Sequence, residues 1–381
     1  MNIQGSGKDG INSTTVTGFN LSNCTVTNNG NSTFDEGIEF TNLFGTCSMS
    51  NCTVTNNAHN NFKLDNSSGT LTSFNISGST FEGHNNSTAF GNHGFLFEAR
   101  GSALVTAVNV TTSIFRNNFS IGMQVITGDN ATISSFIVNG CTFSDTGTGN
   151  SQEIGADFAT AQTSNLTYQF LNNTLTGHNA QAFNTFTAAG AGTGGTLRGT
   201  IQGNTIGLQA TMDSGSKIGN GMRININGGA NARILVNNNT LHQIPTGRGI
   251  ECIARNGTGG ASFIVTNNTV TAPTGTAGAA CGAGVLCPLA PIYVQTNCAT
   301  VCNSACSVVS GNTAYDPTSV PGGAGSESSV QLQVTGASAL TYEGNVALTA
   351  LQNLTNANPG CVTKNVIGTV TVVAASTCPT P

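Results

Sequence analysis

The string NCTVTNN occupies residues 23–29 and returns letter for letter at 51–57, an offset of 28 residues. Self-similarity at such a period is the mark of stacked supersecondary units, each too small to bury its own apolar face. Looser copies follow: STFEGH from 79, SIFRNN from 113, CTFSDT from 141, NTLTGH from 173, NTIGLQ from 204, NTLHQI from 239, NTVTAP from 268, NTAYDP from 312 and GNVALT from 344. The central apolar residue of each copy gives an index column: Val26, Val54, Phe81, Phe115, Phe143, Leu175, Ile206, Leu241, Val270, Ala314 and Val346. The mean spacing is 32 residues.

Positions not used to find the copies repeat with them. Five residues before the index, ten of eleven copies are apolar, Thr341 being the exception, and a Thr immediately precedes the index in nine. Apolar residues seven before, including Phe19, Phe74, Val108 and Phe136, extend the alternation. Period two over short stretches is the signature of half-buried strands, and no segment is read as helical. A third alternating stretch follows the index in most copies, for example GIEF at 37, NFKL at 61, GMQV at 122, GMRI at 221 and PIYV at 291.

Three short strands per repeat cannot close a core alone, but stacked repeats can. The prediction is an all-β parallel β-helix, or solenoid, of about eleven coils. With neighbouring coils roughly 4.8 Å apart, it should extend on the order of 50 Å. Two residues before the index run Cys24, Cys52, Ser79, Ser113, Cys141, Asn173, Asn204, Asn239, Asn268, Asn312 and Gly344. Such a column predicts side chains hydrogen-bonded up the stack, as in amide ladders, with Cys24 and Cys52 as buried thiols. The solenoid is assigned to residues 1–350 with a Cys-rich insert at 271–311, and 351–381 to a strand-like tail serving as a disulfide-tied cap.

Composition excludes several classes. Charged residues are 7% of the chain, while 49 Gly, 48 Asn and 55 Thr dominate it. A net charge of −5 without a basic cluster does not suit a nucleic-acid partner, and no stretch reads as a membrane span. The polar start, MNIQGSGKDGINST, has no charged leader followed by an apolar stretch, so the expectation is a removed signal or a piece of a longer chain. Among twelve cysteines, Cys281, Cys287, Cys298, Cys302 and Cys306 cluster, and Cys361 and Cys378 bracket the tail. These seven are the candidate disulfide cysteines of a secreted protein; a zinc site would need a CxxC pair or a nearby His, and the sequence offers neither. No cofactor is expected. Asn-x-Ser/Thr matches such as Asn31, Asn75, Asn109 and Asn353 are mostly the chance product of an Asn- and Thr-rich chain.

The motifs GSTFEGH, NGCTFSDT, LNNTLTGH, VNNNTLHQI and VTNNTVTA, each followed by a GI.F-like strand, resemble the right-handed β-helix repeats of large bacterial surface and secreted proteins, adhesin- or passenger-like, over roughly residues 11–350. The resemblance implies the right hand and extracellular, cell-surface display. It does not imply one activity, because the same architecture carries adhesins, lyases and tailspikes.

A polygalacturonase-like site would show paired aspartates and Gly-His-Gly, and the chain has neither. A β-eliminating lyase needs clustered acids for calcium and a poised base. The outward row of the third strand instead alternates: Glu39, Lys63, Leu96, Gln124, Asp157, Arg223, Glu251, Tyr293 and Gln333. Glu39 with Lys63, and Arg223 with Glu251, are expected as ion pairs between coils. The candidate glycan-binding face is Glu39, Lys63, Gln124, Asp157, Arg223, Glu251 and Tyr293, with Tyr293 stacking a sugar. The five histidines are expected to be solvated in turns. Leu235, Ile264, Val308 and Leu340 form a candidate apolar partner patch, unless the insert or the tail covers it. The sequence thus points to a non-catalytic structural or adhesive surface module, with a polysaccharide or protein of a host surface or matrix as partner. The alternatives are a fibre subunit that associates end to end and a pectate-lyase-like enzyme.

Overall fold

A computed structural model describes residues 1–32, 34–84, 92–145, 154–188, 194–274, 289–298, 304–317 and 328–381. The described residues wind about ten turns of a parallel β-solenoid. They group into two compact units, Met1–Asn179 and Ala180–Pro381. Each coil runs through three walls. In the first unit the first wall contains Thr25–Thr27, Thr53–Asn57 and Ile114–Arg116, the second contains Ile11–Thr17, Phe62–Asn66 and Ile121–Thr127, and the third contains Thr70–Ser77, Thr132–Asn139 and Asn165–Leu171. In the second unit the same walls contain Thr240–Leu241 and Thr269–Val270, then Met222–Asn227 and Ile250–Arg255, then Asn231–Asn237 and Gly260–Thr266.

The index column is the first wall's inner row. Val26 pairs with Val54, Val54 with Phe81, Phe81 with Phe115, Phe115 with Phe143 and Phe143 with Leu175. In the second unit Ile206, Leu241, Val270 and Ala314 follow in register. All are fully or almost fully buried. Phe115 lies between Phe81 and Phe143, near-parallel to both, with ring centroids 5.1 and 4.8 Å away. Stacked aromatic rings in this range add to the area they bury.

The corner before the first wall explains the Asn/Gly periodicity. Three residues before the index, Asn23, Asn51, Asn172, Asn238 and Asn267 have φ between 51° and 58°, and Gly78, Gly140, Gly203 and Gly311 between 56° and 69°. Left-handed backbone disfavours a Cβ, and Asn and Gly tolerate it best. The turn aims the next side chain inward. There Asn204, Asn239, Asn268, Asn312 and Asn358 form a buried ladder, each Nδ2 donating to the Oδ1 of the next at 2.9–3.0 Å. In the first unit the same position is held by Cys24 and Cys52, both buried free thiols, and by Ser79, whose Oγ accepts from Cys52 N. A second amide ladder that the repeat had not revealed, Asn29–Asn57–Asn61–Asn118, closes the opposite corner at 3.0, 2.9 and 3.3 Å.

The last coil differs from the sequence expectation. Cys361, not Val346, stands opposite Ala314, and Val346 is 65% exposed. Between them lies a helix, Ala350–Ala357, where no helix was expected. Thr349 caps it, with a capping box closed by Gln352. The strands Lys364–Ile367 and Val370–Val373 then pair onto Val330–Gly336 and Ala339–Glu343, so most of the presumed tail is another coil. Within the presumed insert, Ile292–Cys298 and Ser304–Ser310 are also coil strands; residues 275–288 and 299–303 lie outside the described ones.

Candidate functional site

The outer row of the second wall is the face singled out from sequence. In the first unit, register places Asn12 against Glu39, then Lys63, Leu96, Gln124 and Asp157 in succession. In the second unit the row reads Asn184, Arg223, Glu251, Tyr293 and Gln331. Asn184 was not singled out from the sequence, and Gln331 takes the place expected for Gln333.

In the first unit Glu39 and Lys63 lie in a cluster of charges at one end of this row. Glu36, 1% exposed, precedes the strand that carries Glu39. Asn60 N–H donates to Glu36 Oε2 at 2.5 Å, and His59 Nδ1 lies 2.9 Å from Oε1. Lys63 Nζ sits 2.7 Å from Glu39 Oε1 and 3.8 Å from Glu36 Oε1. Asn12 Nδ2 bridges Asp9 and Glu39 at 2.6 and 2.9 Å. Burial pulls the Lys63 ammonium down, but the hydrogen bond and charge of Glu39, with Glu36 and Glu98 behind, hold its pKa above the ordinary lysine value. Lys63 is therefore a fixed cation, the opposite of a lysine prepared to take a proton. Glu36 and Asp9 escaped the sequence reading because they stand at a corner, outside the strand alternation.

In the second unit Glu251 collects Arg223 Nε at 3.3 Å, Arg248 Nη1 at 3.5 Å and Asn220 Nδ2 at 2.9 Å. Both ion pairs expected between coils are thus present. The Arg248 guanidinium also lies over the Tyr293 ring, 3.8 Å from its centroid, in a cation–π contact. Tyr293 is 4% exposed and donates to Gln333 Oε1. Its face is covered, which overturns the expectation that it stacks a sugar. Asp157 is likewise buried, accepting from Gln124 Nε2 at 2.8 Å. The histidines are not simply solvated: His93 and His178 are buried, and His242 Nδ1 lies 2.7 Å from Thr271 Oγ1, its pKa lowered by burial.

On the third wall Leu235, Ile264 and Val308 stand in register and half-buried. Leu340 does not join them. The register sets it beside Ala305, where it is 1% exposed and faces the interior. Part of this patch is occupied by the chain itself. Cys378 is disulfide-bonded to Cys306, 72 residues away, and its N–H donates to Glu343 Oε2 at 2.9 Å. Pro379 and Thr380 line one cavity with Ile264 and Val308.

Of the other candidate disulfide cysteines, Cys361 is a buried free thiol in the index column, and burial pushes its pKa up to about 11. Cys281, Cys287 and Cys302, and the side chain of Cys298, lie outside the described residues. Among the described residues no three His, Cys, Asp or Glu side chains are arranged to hold a metal ion, and no helix is long and apolar enough to cross a membrane. Set against known protein families, curated proteins and solved structures, the chain finds no match.

Proposed function

We propose that the chain is a non-catalytic structural and adhesive module, displayed outside a bacterial cell. The observation that carries this reading is the mutual neutralisation of charges on the outer rows. Lys63 is held by Glu39 and Glu36, Arg116 by Glu82, and Arg223 and Arg248 by Glu251. Charges used this way stiffen neighbouring coils, whereas an acid–base catalyst needs groups whose pKa values are pushed apart. The test is antibody labelling of intact cells that make the protein. Labelling without permeabilisation is expected, and labelling only after permeabilisation refutes surface display. Incubation with polygalacturonate should release neither reducing ends nor unsaturated products; steady release at a rate proportional to protein concentration would establish the lyase alternative.

A second reading is an end-to-end fibre subunit: the coils stack strand on strand in parallel register, as Ile292–Cys298 does on Val330–Gly336, and the coils of a neighbouring chain would continue the same pairing. Light scattering with negative-stain imaging of the non-reduced protein separates the readings: strings support assembly, and a monomer at all concentrations removes it.

A further inference from the structure

The third wall of the second unit carries a feature that neither reading uses. Arg198 and Arg233 are in register on neighbouring coils. Like charges directly opposite repel across a strand pair, yet neither arginine has an acidic partner among the described residues. The row continues through Ser262, Cys306 and Thr341. Ser262 is 1% exposed, and its Oγ is buried without a hydrogen-bond partner among the described residues. A hydroxyl so placed is costly unless something fills the space beside it.

That space exists. A cavity of about 370 Å³ is lined by Arg233, Ser262, Ser304, Thr341 and, from a strap formed by residues 378–381, Pro379. The volume is in the range of small-ligand sites. The Cys306–Cys378 bridge fixes the strap there, and Arg233 Nη1 reaches Thr380 O at 3.5 Å. The surroundings favour an anion. Seven of the eleven Lys and Arg residues but only five of the sixteen Asp and Glu residues lie at or after Ala180, so this unit is net positive in a chain of net charge −5.

We infer that this cavity binds the carboxylate of an acidic sugar. The Arg233 guanidinium would take the two carboxylate oxygens as a fork, Arg198 would add charge from the adjacent coil, and Ser262 Oγ would donate the third hydrogen bond. Ser304 and Thr341 offer hydroxyls to those of the sugar ring. The inference deepens the adhesive reading and rests on it for the saccharide, whereas the anion site stands on the geometry alone.

The test is calorimetric titration of the oxidised full chain with D-glucuronate, glucose and inorganic sulfate. Glucuronate should bind saturably, weaken as salt rises, and exceed glucose in affinity by at least about tenfold, a difference equal to ~1.4 kcal/mol. Arg233→Gln should abolish that preference, Arg233→Lys should keep part of it, and Ser262→Ala should weaken binding several-fold; far-UV circular dichroism checks that each variant is folded. No saturable glucuronate binding up to roughly 10 mM, a range in which a millimolar site would fill, overturns the proposal. So does undiminished binding in folded Arg233→Gln. Sulfate binding without glucuronate binding overturns the saccharide assignment. Surface display is read by antibody labelling, so its failure cannot be mistaken for failure of this site.

Discussion

Replacing Asn268 with Ala should cost more than almost any other single change of its size. The side chain is fully buried. Its Oδ1 accepts from Asn239 N at 3.0 Å and Asn239 Nδ2 at 2.9 Å, and its Nδ2 donates to Val236 O at 2.9 Å and Asn312 Oδ1 at 3.0 Å. Truncation leaves the Asn239 amide without that acceptor. It also strands one Nδ2 hydrogen of Asn239 and removes a donor from Val236 O. Asn239 Nδ2 keeps its bond to Ile201 O, and Asn312 Oδ1 keeps the backbone N–H of Asn268, so those groups lose less.

At about 1–3 kcal/mol for each orphaned buried group, the variant should lose about 3–5 kcal/mol, the exceptional end of single substitutions. The assay is urea unfolding followed by far-UV circular dichroism, paired with hydrogen exchange at the Asn239 amide. Exchange at that amide should accelerate before the global transition moves. A cycle with Asn312→Ala should be non-additive by about 1 kcal/mol or more, since the two side chains share a bond. A loss below about 1 kcal/mol, the value of an ordinary hydrogen bond, would refute the ladder argument. An unchanged Asn239 exchange rate would refute it as well.

Phe115→Ala removes a fully buried ring between two others, so denaturant unfolding should show a loss of about 3–5 kcal/mol. In the native protein Cys24, Cys47, Cys52, Cys141, Cys252 and Cys361 should resist maleimide and react once it is unfolded, because all six are buried; burial raises the pKa of Cys141 and Cys361 to about 11, which keeps them as unreactive thiols. Mass spectrometry of tryptic peptides checks this. At Asp35 the backbone N–H of Asn31, then the Ser32 hydroxyl and N–H and the charge of Lys8, hold the carboxyl below its ordinary value. A depressed carboxylate stabilises the fold above its unfolded-state value, near pH 4, and loses that contribution as pH falls through the folded-state value. Urea midpoints at pH 6 and pH 3 should therefore converge more in Asp35→Asn than in the parent.

The interior of the fold was legible because each inward position is stated many times. Asn23, Asn51, Asn172, Asn238 and Asn267 meet the same left-handed corner, and the Asn ladder behind them meets the same gap between coils. A position under one constraint in every coil repeats its residue types. Reading failed where the constraint changed. The stretch around Val346 imitates an index copy, while the signal that decides it, the capping box of Thr349 and Gln352, belongs to a different element. Leu340 was placed outside for a related reason. Its alternation is sound, but the parity with which Ala339–Glu343 enters the wall is set by its partner strand, and a slip of one residue exchanges the two faces.

The outer face obeys no such rule, which is why the candidate sites were harder to read than the fold. Tyr293 looked available because its position is outward, but Arg248, which covers it, comes from the corner of the preceding coil. Ser262 was not singled out from the sequence, because nothing in its own strand marks it; Pro379, which lines the same cavity, is held there by a disulfide from the far end of the unit. A binding site on a solenoid is assembled once, from single residues about one repeat apart, so the copies that expose the core by agreement expose a site only by disagreement. Arg198 and Arg233 are such a disagreement: successive coils repeat a charge where electrostatics favours alternation, as Glu39 with Lys63 and Arg223 with Glu251 achieve on the neighbouring wall. Repulsion retained where pairing is available argues for a negative charge supplied from outside the chain.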